Sequence, residues 1–216
     1  MKSEFITSDH FDRKDSIPEN LLIEANKKAL KWVSADPISA NPIIKSWRQT
    51  FQKFKTKKGA RCSVENLLKR AKQGKAVQSI NGLVDVYNSV SLETAFPIGG
   101  FDLDQINGNL ELLVEQQNEN FWPIGEKEPE KTLVGEIIYH DDTAVLTRCL
   151  NWRDGITSEL TDETQNVIFL IENNCPERHQ DFEAAIKLLQ NRLSDFLNLK
   201  TKSQILNPKS NSCNLI

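Results

Sequence analysis

Apolar side chains recur at helical spacing through the first hundred residues and in shorter, strand-like runs after that. Leu21, Leu22, Ala25, Ala29 and Trp32 share one side of the segment from Pro18 to Val33, which predicts a helix. Asp36-Pro37 and Asn41-Pro42 then punctuate a linker. Ile43, Ile44, Trp47, Phe51 and Phe54 keep the same period and predict an amphipathic helix with a basic outer face. Ser63 is placed to cap a helix carrying Val64, Leu67, Leu68 and Ala71, with Gly74 as its stop. Ile80, Leu83, Val84, Tyr87 and Val90 predict one more, capped by Asn81. Gly99-Gly100 reads as a tight turn where missing side chains let a ligand approach. Beyond it, Leu110–Val114, Gly135–His140, Ala144–Leu150 and Val167–Ile171 are strand-like runs separated by Asn, Gly and Asp. The second and third pair as a hairpin around Asp141-Asp142. Phe182, Ala185, Ile186, Leu189, Leu193 and Phe196 predict a closing helix. Helices, then strands, then a last helix describe an α+β fold with mostly antiparallel sheets and flanking helices. The expected organisation is a polar N-terminal segment with a helix (1–41), a folded domain (42–199) and a flexible tail (200–216), with the first 20 residues poorly ordered.

Composition narrows the class. The chain has 216 residues, 38% hydrophobic and 26% charged, which is globular rather than disordered or fibrous. The longest apolar run, Val167 to Ile171, is far short of the about 20 residues a membrane span needs. No secretory signal stands at the N-terminus, and four scattered cysteines without a C-x-x-C pair read as reduced thiols. The expectation is a cytoplasmic protein without a metal. His140-Asp141-Asp142 could form a metal corner, but its place between two apolar runs reads as a solvated hairpin turn.

Charge changes the picture more. Residues 1–100 carry 17 basic and 10 acidic side chains, while residues 101–216 carry 10 basic and 20 acidic. Eleven Lys and Arg fall between Lys45 and Lys75, against one acid, Glu65. Two readings stand side by side: a phosphate-facing patch, or a well-solvated helix pair. The patch candidates are Lys45, Arg48, Lys53, Lys55, Lys57, Lys58, Arg61, Lys69 and Arg70. No phosphate loop, dinucleotide fingerprint, zinc-protease motif or nucleophile elbow is present, so no nucleotide cofactor is expected.

Residues 79–104 carry a more specific signal. Ile80, Asn81, Val84, Asp85, Val86 and Asn88, then Pro97, Phe101, Asp102, Leu103 and Asp104, match an I-N-N-V-V-D-V-T-N run followed by P-L-H-A-F-D-L-D. Thr164-Gln165-Asn166-Val167 matches a later T-K-N-V. In these motifs, over roughly residues 42–175, the chain resembles the B3/B4 domain of the phenylalanyl-tRNA synthetase β subunit. Asn41-Pro42, Trp47-Arg48, Ser63-Val64-Glu65 and Asn151-Trp152-Arg153 are similar to the stand-alone members of that family.

The resemblance implies a tRNA-binding domain, with aminoacyl-tRNA ester hydrolysis as the family's editing activity. Its pocket Thr-Asn pair falls on Tyr87 and Asn88, and its His on Gly99. Its small-residue stretch falls near Leu150-Asn151, followed by Trp152 and Arg153. Its Glu falls on Leu170, with Glu172 two residues on and so on the same strand face. The implied pocket is therefore Tyr87, Asn88, Gly99, Asn151, Trp152, Arg153 and Glu172. The family His and Glu are absent from their places, so no catalytic residue is assigned. Arg153 could hold a phosphate or carboxylate, or be paired to an acid at a structural corner beside a packed Trp152.

The last four residues, Cys213-Asn214-Leu215-Ile216, fit a C-a-a-X lipidation box at Cys213. They raise a second expectation, a non-catalytic interaction protein carried to a host membrane by prenylation, as for a secreted bacterial effector.

Overall fold

The computed structural model describes residues 2–8 and 16–214. Among the described residues five α-helices are formed: α1 (Leu21–Ala29, continued as a 3-10 turn Leu30–Trp32), α2 (Pro42–Phe51), α3 (Ser63–Lys72), α4 (Gly82–Thr94) and α5 (His179–Leu197). α2 buries Ile44, Trp47 and Phe51, and Phe54 follows the helix end with its ring 5.3 Å from that of Phe51. Ser63 does not cap α3: Cys62 holds the cap position without a side-chain bond, and Ser63 is the first helical residue. Asn81 does cap α4, accepting from Val84 N at 3.0 Å, and its amide donates to Leu160 O at 2.9 Å.

One sheet has the order β10-β1-β9-β2, formed by β1 (Lys2–Ser8), β2 (Ile98–Asp102), β9 (Val167–Asn173) and β10 (Thr201–Leu206), all antiparallel. Two expectations are corrected here. Residues 2–8 and 201–206 are strands at one side of β9, not loose ends, and residues 9–15 lie outside the described residues. Gly99-Gly100 is no turn but the middle of β2. A Cβ at Gly100 would come within 2.8 Å of Leu160 Cδ1, so Gly100 lets strand and core approach closely.

β9 is buried along its whole length. Val167, Phe169 and Ile171 pack with α4 and α5, while Ile168 and Leu170 pack with α2, α3 and the second sheet. That second sheet has the order β3-β6-β7-β8, with β3 (Glu111–Val114), β6 (Ile137–His140), β7 (Val145–Arg148) and β8 (Arg153–Asp154). β4 (Asn120–Phe121) and β5 (Glu130–Lys131) form a short ribbon beside it. The β6–β7 connection is a hairpin turn: Asp141 accepts from Thr143 N at 2.7 Å and Ala144 N at 2.8 Å. Against the opposing effect of burial, the bond from Asn107 N at 2.8 Å, together with those from Thr143 and Ala144, holds its carboxyl below its usual range. His140 turns to Glu119 at 3.2 Å.

Candidate functional site

Glu172 shares the face of β9 with Ile168 and Leu170, the face turned to β6. It is 2% exposed. One carboxylate oxygen accepts from the Tyr139 hydroxyl at 3.0 Å and the other from the Asn151 amide at 3.2 Å. Burial pushes the carboxyl up to about 7, against the pull of those two bonds, and the charge of Asp154 adds to the rise. Tyr139, Thr147 and Asp154 stand opposite one another on β6, β7 and β8, so they share a sheet face. Thr147 Oγ1 donates to Asp154 at 2.9 Å, and burial raises the Asp154 carboxyl as well. On the other sheet Gly99 pairs with Leu170, which places it on the Glu172 face. A Cβ there would meet nothing within 4 Å, so Gly99 leaves open space beside this polar row.

Asn151 is delivered by a strained turn. Cys149 (φ 48°) and Leu150 (φ 67°) are consecutive non-glycine residues in the left-handed region, each costing on the order of 1–3 kcal/mol. The surroundings fix them. Leu150 N donates to Ile137 O at 2.6 Å and Lys57 N to Cys149 Sγ at 3.5 Å. Arg148, 1% exposed, makes a two-pronged pair with fully buried Glu136 at 3.0 and 2.6 Å. Glu130 bridges Arg148 to Lys57. Asn151 Oδ1 accepts from Ser63 N at 3.4 Å, so both ends of its amide are held. Cys62 and Cys149 are buried nearby, and burial raises both thiols, Cys149 to about 11. Neither supplies a thiolate nucleophile at neutral pH.

The sequence-derived pocket divides. Gly99, Asn151 and Glu172 come together, joined by Tyr139, Thr147 and Asp154, which the sequence reading missed. Tyr87 and Asn88 arrive on α4. The Tyr87 ring packs edge-on to Phe169 at 6.1 Å, on the helix-bearing side of the sheet. Its hydroxyl is raised by burial, with Asp154 and Asp85 adding to the effect. Asn88 is buried. Trp152 is half-buried against the core, with Lys57 Nζ 5.8 Å from its ring. Arg153 points away: its guanidinium donates to Glu126 at 2.8 Å and Ile124 O at 3.3 Å, which is the acid-paired corner rather than a free anion site.

The basic segment runs from α2 through the following loop to α3. Arg48 is bound bidentately by buried Glu65, and Lys57 pairs with Glu130. Lys45, Lys53, Lys55, Lys58, Arg61, Lys69 and Arg70 are exposed, with Arg61 only 3.9 Å from Glu65 as a loose pair. A shallow open groove lined by Pro37, Ser39, Lys45, Arg48 and Gln52 lies along α2, apart from Glu172. Cys213 is half-buried beyond β10, and Leu215 and Ile216 of the C-a-a-X box lie outside the described residues. Among the described residues no helix is long and apolar enough to cross a membrane.

The profile of the B3/4 domain matches residues 46–196. The chain belongs to the B3/4 domain family. This B3/4 domain is 30% identical over 112 residues to the phenylalanine–tRNA ligase beta subunit of Neisseria meningitidis serogroup B, and 28% over 109 residues to that of Neisseria gonorrhoeae. Each match covers 50% of this chain but only 14% of the relative. A solved N-terminal fragment of the phenylalanyl-tRNA synthetase beta subunit from Pyrococcus horikoshii aligns with a TM-score of 0.45 and 17% identity, over 55% of this chain and 40% of that one. The B3/4 match runs from α2 almost to the end of α5 and so contains the whole Glu172 row; β1 and β10 fall outside it.

Proposed function

We propose that this domain binds tRNA and hydrolyses the ester joining an aminoacyl group to the tRNA 3′ end. The choice of tRNA as substrate class is supported by family membership and by matched relatives that are subunits of a tRNA ligase. The observation that carries the chemistry is Glu172, a buried carboxyl near half-ionisation at neutral pH, beside open space at Gly99. A base poised near the working pH can both take and return a proton. Tyr139 and Asn151 fix the carboxylate, and each oxygen keeps a lone pair for a water. That water attacks the ester carbonyl carbon while Glu172 takes its proton. The bond from the carbonyl carbon to the ribose oxygen then breaks, and the proton passes to that oxygen, giving a free amino acid and a ribose hydroxyl. The seven exposed cations meet the phosphate backbone.

The test is binding to charged and uncharged tRNA across a salt series, with release of the amino acid followed in parallel. Affinity is expected to fall steeply between about 50 and 200 mM salt, with charged tRNA preferred and discharged. Absence of binding at low salt would overturn the proposal. Binding without discharge of any charged tRNA would remove its catalytic half.

A further inference from the structure

We infer that Trp122 is a stacking platform for the unpaired 3′-terminal nucleotides of the RNA, at the open end of the sheet face that carries the Glu172 row. This rests on the tRNA-binding reading above and assigns the place of the RNA end within it.

The segment after β4 runs along β8. Pro123 bridges Gly155 antiparallel, Ile124 N donates to Asp154 O at 3.1 Å, and Ile156 N donates to Trp122 O at 2.9 Å. Side chains alternate across such a pair. Phe121, Pro123 and Gly155 lie on the inner face, where a Cβ on Gly155 would be 2.9 Å from the Phe121 ring. Trp122 and Ile156 therefore lie on the opposite face, together with Asp154. Inside the molecule that face bears Tyr139, Thr147 and Asp154; at its end it emerges into solvent as Trp122, 47% exposed, and Ile156, 52% exposed.

A cation shares this face. Lys131 pairs in register with Asn120, so it shares the Trp122 face, and it is exposed. On the opposite, Phe121 face of the ribbon, the Lys57–Glu130 pair ties in the basic loop between α2 and α3. A half-exposed indole, on the same face as the exposed Lys131 and continuous with the site strand, fits a nucleobase: every base offers a stacking face, and an adjacent phosphate meets Lys131.

The experiment measures affinity of the full chain for uncharged tRNA, intact or shortened by its three 3′-terminal nucleotides. Wild type is expected to bind intact tRNA about thirtyfold tighter than shortened tRNA, near the middle of the range for one stacked base. Trp122→Ala is expected to abolish that preference and Trp122→Phe to keep most of it. Binding of intact tRNA is expected to quench the fluorescence of wild type more than that of Trp122→Phe, because Trp122 is the exposed indole. Ile156→Asp serves as a second variant on the same face if Trp122→Ala fails to fold. Equal preference in wild type and Trp122→Ala, or none in wild type, overturns the platform while leaving tRNA binding intact. Failure of wild type to bind either tRNA at low salt overturns both readings. Self-association lost in Trp122→Ala, with the preference for intact tRNA unchanged, assigns this face to a second copy and also overturns the platform.

Discussion

Replacing Glu172 by Gln should stabilise the protein above neutral pH and destabilise it in mild acid. The carboxyl stands at 4.5 ordinarily and at about 7 in the fold, which corresponds to about 3 kcal/mol at 1.36 kcal/mol per pH unit. Between those values the folded protein holds a proton that the unfolded chain has released, so stability falls as pH rises. The cost is absent below about pH 4.5 and complete above about pH 7. Gln removes it, but its amide cannot accept from both Tyr139 and Asn151, and one lost bond costs about 1 kcal/mol. The variant should therefore be about 2 kcal/mol more stable than wild type at pH 8, raising Tm by about 4–8 °C for a domain of this size. Near pH 5 the two proteins should be about equally stable, and near pH 4 the variant should be about 1 kcal/mol less stable. Thermal unfolding followed by circular dichroism from about pH 4 to pH 8.5 reads both. A Tm difference of constant sign and size across that range would refute the reasoning, because it would mean that Glu172 titrates alike in the folded and unfolded chains.

Other expectations follow from neighbouring contacts. Arg148→Met leaves the fully buried Glu136 without its partner and should cost about 3–5 kcal/mol in urea unfolding. The double variant Arg148→Met with Glu136→Leu should recover most of that. Gly99→Ala should be neutral or slightly stabilising, since nothing lies within 4 Å of its Cβ. Gly100→Ala, 2.8 Å from Leu160, should cost about 1–3 kcal/mol, so equal effects from the two would contradict the described β2. Changing Lys53, Lys55 and Lys58 together to Gln should leave Tm unchanged and lower the salt slope of tRNA binding by about two to three.

The parts of the fold that the sequence made legible are those whose burial is one-sided and periodic. α2 shows itself through Ile44, Trp47 and Phe51, and α4 through Asn81 and its apolar stripe. β1 and β10 were hidden because Lys2–Ser8 and Thr201–Leu206 are largely polar; pairing with the fully buried β9 is what makes a strand of β1. β2 was hidden by its two glycines, which look like a turn in sequence but are what close packing on Leu160 and Phe169 requires of Gly100. In the site, Asn151 and Glu172 could be reached through the family resemblance and a two-residue period. Tyr139, Thr147 and Asp154 could not, because only the register of three strands aligns them, and a bulge after Tyr139 breaks the simple alternation. Arg153 misled for the same reason: Asp154 takes the site face, so its neighbour points the other way, to Glu126.

The most direct test of the account is the rate of amino acid release from charged tRNA, measured in single turnover against pH for wild type and Glu172→Gln. Spontaneous ester hydrolysis is subtracted at each pH. The account expects the wild-type rate to climb with pH and level off above about 7 as Glu172 ionises, and the Gln variant to bind tRNA equally well while staying at the spontaneous rate. Equal rates for the two proteins, or a wild-type rate indistinguishable from buffer, would contradict it.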